Sequence, residues 1–378
     1  MAAPAAYRLC GGLYKSRVPQ SLLRVSPCTR LHVHPQIRVA RAYSAPPPET
    51  APAATLPLLK RSYLYVPASS DRMLNKSLST QSDIIVYDLE DSVPPTVADK
   101  DGARSRLAAF IQTEDELPAA ERISVRVNAV NTPFFSEDVL QALQLHPVRT
   151  LVLPKIHSAQ DLNTVSRQIY AHLQSTAVAN GRTKPVNIVA SIESARALVH
   201  VGEIAAWQSE FGPVLGGKLV ALLFAAEDYC ADTMIVRTKT RQELLYTRSQ
   251  IAVTAKAFGL DAIDMVCVDY KNPEYLKEEC EDGRRLGYTG KQAIHPTQVD
   301  TIHASFLPTE AGTLSTEILR ATRILHQMEK AHKEQRGAVG LATADGGSKE
   351  MIDAPMIKQA ENTIRQAMAA GLPIPPVD

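Results

Sequence analysis

Eight short apolar runs, each of strand length and each followed by a helical pattern, set the plan of this chain from residue 62 onward. They fall at 62–66, 84–88, 122–127, 150–153, 187–192, 219–224, 263–269 and 291–294. Runs so short and so rich in Val, Ile and Leu read as strands buried on both faces, and that burial belongs to parallel sheets covered by helices. Alternation of strand and helix makes βαβ units. Eight of them predict an α/β fold of the closed (β/α)8 TIM barrel type rather than an open doubly wound sheet. The first strand-to-helix turn, Val66-Pro67-Ala68-Ser69-Ser70-Asp71, also lacks the GxGxxG of a dinucleotide-binding sheet. Between the strands, apolar stripes recur at helical spacing, as in Ala195, Leu198, Val199, Gly202, Ile204 and Ala205, or Leu244, Leu245, Ile251, Ala252, Ala255 and Phe258.

The start of the chain has a different character. Arg8, Lys15, Arg17, Arg24, Arg30, Arg38 and Arg41 precede the first acid, Glu49. A basic, Ser-containing, acid-free leader reads as a mitochondrial presequence, and Arg41-Ala42-Tyr43-Ser44 resembles a processing site. The expectation is a presequence over 1–43, a mature start near Ser44 and a matrix location; a basic tail for an anionic surface is the competing reading. Residues 44–57, with Pro46, Pro47, Pro48, Pro52 and Pro57, read as a disordered linker. The barrel is expected over 58–312 and a helical extension over 313–378.

Several function classes fall away. A net charge of +1 offers nucleic acid no electrostatic footprint, and no apolar run approaches the roughly 18 residues of a membrane helix. Past the leader, Cys230, Cys267 and Cys280 are odd in number and lack CxxC spacing, so neither a disulfide framework nor a zinc site follows. Gly287-Tyr288-Thr289-Gly290-Lys291-Gln292 has the wrong glycine spacing for a phosphate loop, with Gln292 where Ser or Thr would hold magnesium. Gly216-Gly217-Lys218 reads as a tight turn at the bottom of the barrel.

In a TIM barrel the carboxyl ends of the strands converge on one face, where the ligands bind. Taken in order, those ends supply Pro67; Asp88, Glu90 and Asp91; Arg126 and Asn128; Lys155; Glu193; Glu227 and Asp228; Asp269; and His295. Converging carboxylates suit a hard divalent cation, and Mg2+ commonly takes one or two of them and leaves its other positions to water and substrate. Glu193 and Asp228, each just past an apolar strand on neighbouring strands, fit as its ligands. Glu90, Asp91 and Glu227 are expected to hold metal-bound waters. Either ligand candidate alone could instead cap its helix. Arg126 alternates with Val125 and Val127, so it faces away from them, either as a clamp on a carboxylate or oxyanion or as a structural partner of the acids.

Beyond Pro296 a helical pattern runs from Thr313 to about Lys333. The Gly-rich stretch 337–348 then reads as a hinge, and Met351-Ile352-Asp353-Ala354-Pro355-Met356-Ile357 leads into a helix ending near Met368. This suggests a lid, over its own barrel or over that of a neighbouring subunit.

Arg61-Ser62-Tyr63-Leu64-Tyr65-Val66-Pro67, Asp88-Leu89-Glu90-Asp91-Ser92-Val93, Val125-Arg126-Val127-Asn128, Leu153-Pro154-Lys155, Ile192-Glu193-Ser194-Ala195, Ala226-Glu227-Asp228-Tyr229 and Thr289-Gly290-Lys291-Gln292-Ala293-Ile294-His295-Pro296 follow one another in this chain. In that order they resemble the citrate lyase beta-subunit-like enzymes over about Arg61 to Met368. Ala255-Lys256-Ala257-Phe258-Gly259-Leu260 and Met351-Ile352-Asp353-Ala354-Pro355 bring it nearest to members that cleave citramalyl-CoA, with the malyl-CoA lyases almost as similar. The resemblance implies a Mg2+-dependent carbon–carbon lyase that splits citramalyl-CoA into pyruvate and acetyl-CoA by a retro-Claisen reaction. Carried onto matching positions, Glu193 and Asp228 bind the metal and Arg126 meets the substrate carboxylate or oxyanion. Asp353 is the acid/base residue, given by the adjacent protomer of a homotrimer. Coenzyme A would lie near Arg61, Lys76, Lys155, Ile294, His295 and Pro296. Ala68 departs from the family, which usually has Gly after Val-Pro, and its methyl is expected to crowd the CoA phosphates. Malyl-CoA cleavage, the reverse condensation with glyoxylate or pyruvate, and a non-catalytic CoA-binding regulator remain the alternatives.

Overall fold

Eight parallel strands close on themselves in sequence order: β1 Ser62–Pro67, β2 Ile84–Asp88, β3 Ile123–Arg126, β4 Thr150–Leu153, β5 Asn187–Ile192, β6 Lys218–Phe224, β7 Asp261–Asp264 and β8 Gly290–Ala293. The last strand returns to the first through Ser62↔Lys291, Tyr63↔Gln292 and Leu64↔Ala293, so the expected TIM barrel is the fold. The computed structural model describes residues 58–175, 184–308, 316–334, 339–342 and 349–377. The presequence and linker expected over 1–57 lie outside them. Among the described residues no helix is long and apolar enough to cross a membrane.

Successive side chains in a strand point to opposite faces, and the barrel uses both. Tyr63, Ile84, Val86, Val152, Val189, Ala221, Leu223 and Ile263 fill the lumen, while Leu64, Ile85, Tyr87, Val125, Leu151, Ile188 and Leu222 pack outward into the core shared with the helices. At the bottom, Gly217 sits at φ +90 with Ile188 Cδ1 only 2.6 Å from where a Cβ would stand, and the chain turns there into β6 as expected. At the seam, a Cβ on Gly290 would stand 2.3 Å from the Lys60 carbonyl oxygen. Only a bare α-carbon lets β8 dock on the approach to β1.

Two expectations need correcting. Strand seven begins at Asp261 and leaves the ladder after Asp264, so Asp269 lies exposed in a loop beyond it. Met265 and Cys267 stay buried without strand pairing, because an apolar run reports burial, not which backbone groups are paired. Val199, Leu245 and Phe258, placed on apolar stripes, are exposed: the helix at 195 breaks at His200 into Ala195–Val199 and Val201–Ala205, and Leu245 and Phe258 stand at the two ends of the helix Leu245–Ala257.

The extension consists of a helix Thr316–Lys333, strands β9 Val339–Ala342 and β10 Lys349–Ile352, and a final helix Ala354–Ala369. The described parts of the expected hinge are therefore a strand, β9, paired antiparallel with β10. Ala321, Ile324, Met328, Leu341, Ile352 and Ala360 form a cluster of their own, and Arg284 ties the first of these helices to the barrel through Glu317.

Outside β7 a charged pair is fully enclosed: Arg248 Nη2 lies 2.7 Å from Asp264 Oδ2, with exposures of 1% and 0%. Asp282 takes the other end of the guanidinium. Removing one partner of such a pair strands the other, at about 3–5 kcal/mol. Arg248→Met, which takes from Asp264 the cation it faces, should lower the unfolding free energy by that amount in chemical denaturation, and a loss under 1 kcal/mol (roughly the worth of a surface pair) would contradict the burial.

Candidate active site

The lumen rows change character at the carboxyl rim. Two residues on from Val86, Asp88 faces Arg126 across the β2–β3 ladder, where the two are in register. Arg126 forks onto it, with Nε 2.7 Å from Oδ1 and Nη2 2.7 Å from Oδ2. Its Nη1 lies 2.8 Å from Glu90 Oε2 and donates to Asp91 Oδ2 at 3.2 Å. The guanidinium rests on the Tyr65 ring, 4.7 Å from its centroid, a cation–π contact. Asp88 also accepts from the backbone N–H groups of Glu90 and Ser92, which folds the turn after β2. Burial works to raise the Asp88 pKa, but the Arg126 charge and hydrogen bonds prevail and hold it below the ordinary range. Glu90 goes the other way: burial lifts it despite Arg126 and Lys155. Lys155, at φ 53, donates to Glu90 Oε1 at 2.8 Å.

Glu193 continues the lumen row of Val189 and Ser191 just past β5. It is 5% exposed, and its Oε2 is buried with no hydrogen-bond partner among the described residues. Burial first, then the charges of Asp228 and Glu90, push its pKa up to about 7. Asp228 stands in the first turn of the helix Ala226–Thr233 that follows β6, close enough for its charge to act on Glu193. An orphaned carboxylate oxygen beside a second carboxylate is a donor set for a hard cation with open positions. Among the described residues no group of three His, Cys, Asp or Glu is arranged to hold a metal.

A cleft at this rim has a volume of about 390 Å³ and is lined by Tyr65, Asp88, Arg126, Asp228, Val266 and Gln292 among others. A groove of about 200 Å³ shares Tyr65, Pro67 and Ile294 with it and runs past Arg72, Lys76, His295 and Pro296. Lys76, Ile294, His295 and Pro296 are thus brought together as expected. The His295 ring stacks on Tyr270 at 4.9 Å, and Gln298 Oε1 accepts from the backbone of Ile294 and His295. A larger hollow of about 740 Å³ at the other end of the barrel, lined by Lys60, Trp207, Lys218 and Asp261, holds no comparable convergence of carboxylates, so size is not what marks the site.

Other expected residues are placed differently. Arg61 precedes β1, at the bottom of the barrel, and is locked to Asp83 by two contacts of 2.8 Å. The whole strand separates it from the cleft, so it does not belong with the CoA-side residues. Glu227 does line the cleft beside Asp228, but it is exposed there and pairs with Arg237. The Ala68 methyl is buried in the main core, where it crowds nothing in the groove. Asp353 is exposed at the start of the last helix and its side chain makes no cap hydrogen bond there. Sequence reasoning missed Tyr65, whose hydroxyl donates to Gln292 Oε1 at 3.0 Å, and Gln292, whose amide donates to the carbonyls of Phe224 and Asp264. Their strand positions were the available signal, since Tyr65 lies two residues beyond Tyr63.

A carboxyl raised from 4.5 to about 7 binds its proton more tightly in the folded state. Metal-free protein should therefore lose stability as pH rises from 4.5 through 7, on the order of 3 kcal/mol from Glu193 alone. Denaturation of the wild type and Glu193→Gln in EDTA at pH 5 and pH 8 should show the variant relatively more stable at the higher pH. Parallel loss in both proteins would contradict the assignment.

Residues 61–296 match the HpcH/HpaI aldolase/citrate lyase family. The chain is 32% identical to the mitochondrial citramalyl-CoA lyase of Rattus norvegicus over 82% of this chain and 86% of that protein. It is 29% identical to the citrate lyase subunit beta of Escherichia coli K12 over 83% and 95%, respectively. Among solved structures it resembles the CitE protein of Mycobacterium tuberculosis in complex with magnesium, acetoacetate and coenzyme A, with a TM-score of 0.60, 26% identity, and coverage of 82% of this chain and 98% of that one. With eight strands in the same closed order and the family's motifs at their carboxyl ends, the chain belongs to the HpcH/HpaI aldolase/citrate lyase family.

Proposed function

We propose that this protein is a Mg2+-dependent carbon–carbon lyase acting on 3-hydroxyacyl-CoA esters, with citramalyl-CoA as the substrate and pyruvate and acetyl-CoA as the products. The observation that carries this reading is the buried Oε2 of Glu193, without a hydrogen-bond partner among the described residues and within reach of the charge of Asp228, which lines a cleft that continues into a groove bearing Arg72 and Lys76. The relatives support it: one is named for citramalyl-CoA cleavage, and a structural neighbour was crystallised with magnesium and coenzyme A. The names of the mammalian relatives and the basic leader both favour a mitochondrial location.

Glu193 and Asp228 would hold the ion, which when bound polarises the hydroxyl and carboxylate oxygens of the substrate. Cleavage removes the hydroxyl proton, passes the electron pair of the breaking bond to the thioester as an enolate, and ends with protonation of that carbon. Asp353, exposed on the extension, is the carboxylate we assign to the hydroxyl proton, entering the cleft of an adjacent protomer in a trimer. Arg126 lines the cleft, held by Asp88 on one edge and by Glu90 and Asp91 at Nη1, and its charge there would offset developing negative charge. Arg72 and Lys76 suit the CoA phosphates, and Lys155 stands at the rim beside Glu90. Ala225, Ala226, Val266 and Ile294 give the cleft an apolar side. That side accommodates the methyl group by which citramalyl-CoA differs from malyl-CoA, a difference worth about 10–200-fold in such pockets.

Cleavage assays with citramalyl-CoA and malyl-CoA test the reading. Citramalyl-CoA should be preferred by at least about 10-fold, and Glu193→Gln should abolish turnover. Asp353→Ala should reduce kcat about 100-fold or more and regain activity when mixed with Glu193→Gln subunits. Preference for malyl-CoA would turn the assignment to glyoxylate chemistry, and full activity in Glu193→Gln would end it.

A further inference from the structure

Loop 234–241, between the helix Ala226–Thr233 and the turn Gln242–Leu244, begins and ends on non-glycine residues in the left-handed region, Met234 and Arg241, each at φ 59. Such backbone persists only where surrounding contacts over-determine it. Here the contacts are arginines. Arg241 Nη2 lies 2.9 Å from Glu278 Oε1 and its Nε 3.4 Å from Asp282 Oδ2, both on the helix Pro273–Leu286. Arg237 reaches further. Its Nη1 pairs with Glu227, and its Nη2 donates to the Val266 carbonyl at 3.0 Å and to Glu279 Oε1 at 2.8 Å. Glu279 is fully enclosed, and its other oxygen lies 3.1 Å from Lys291 Nζ of β8, which is equally enclosed.

One guanidinium, 11% exposed, therefore joins the residue before Asp228, the wall residue Val266 beyond β7, and a buried ion pair beneath the mouth. Glu227, Asp228 and Val266 all line the cleft. We propose that Arg237 is a positioning residue for the Asp228 carboxylate. It pins the first turn of the helix after β6 to the β7–β8 side of the barrel, so that Asp228 is aimed at the ion without having to find its place on binding. The proposal rests on the reading of Asp228 as a Mg2+ ligand. A planar fork spreads its donors over separate nitrogens in fixed directions and so reaches three acceptors standing apart, whereas an ammonium group carries its three donors on a single atom. Lys291 and Arg241 also compensate Glu279, so loss of Arg237 leaves that carboxylate with cations at ion-pair distance while Glu227 and the Val266 carbonyl lose their link to it.

Titration calorimetry of Mg2+ into the wild type, Asp228→Asn, Arg237→Gln, Arg237→Lys and Glu227→Gln, each with its unfolding midpoint, tests this. Asp228→Asn should lose binding. Arg237→Gln should weaken it about 10–100-fold, the usual cost of losing a support behind a metal ligand, and Arg237→Lys should recover only part. Glu227→Gln cuts the rim half of the bridge at an exposed residue and leaves Arg237 on Glu279, so it should weaken binding in the same direction and decides the matter should Arg237→Gln not fold. The double variant should be no weaker than Arg237→Gln alone, because the two residues act through one contact. Wild-type affinity in folded Arg237→Gln or in Glu227→Gln, with Asp228→Asn defective, overturns the positioning role. Wild-type affinity in Asp228→Asn removes the ligand assignment and the proposal with it.

Discussion

The mouth of this barrel keeps its shape because cations and carboxylates are buried against one another where the aliphatic lumen ends. Below the rim the closed ladder pairs the backbone and Ile, Val and Leu side chains fill the space. At the rim the Asp88–Arg126 fork spans β2 and β3, Lys155 reaches Glu90 from beyond β4, and Arg237 joins the ends of β6 and β7 to Glu279 on the helix Pro273–Leu286. Isolated pairs of this kind contribute little net stability once desolvation is counted. Their effect is directional: each group has one low-energy partner, so strands that could slip by a residue are held in a single arrangement.

Within that frame Glu193 is the exception. The other enclosed acids have cations at ion-pair distance, Asp88 from Arg126, Asp264 from Arg248 and Glu279 from Lys291. Glu193 has an open oxygen instead and faces further negative charge. Among the described residues Glu193 is the enclosed acid without a cation at ion-pair distance, and that contrast is what supports its proposed role as a ligand for an ion from outside the chain. Family membership agrees with this reading of the electrostatics, but the electrostatics stand without it.

Much of this was legible from the order of residues alone. Three strands, 84–88, 150–153 and 187–192, have the bounds that their residue pattern predicts. Glu193 and Asp228 were visible as acids just past such runs, and period two placed Arg126 in the lumen. Strand seven was harder, since Met265 and Cys267 are as apolar as a strand and as buried, yet pair with nothing in the ladder. Arg61 was misplaced because a motif carries residue order but not which end of a strand a residue occupies. Tyr65 and Gln292 escaped notice because a hydroxyl and an amide inside an apolar row signal nothing until their partners across the barrel are known.

The extension makes its own small interior from Ala321, Ile324, Met328, Leu341, Ile352 and Ala360 rather than borrowing the barrel's. A segment assembled in this way is a cassette. It could be exchanged between homologues, or re-aimed by a change in the short stretch that joins it, without disturbing the packing of the eight strands, and the chemistry of whatever residue occupies position 353 could evolve separately from the chemistry of the cation site.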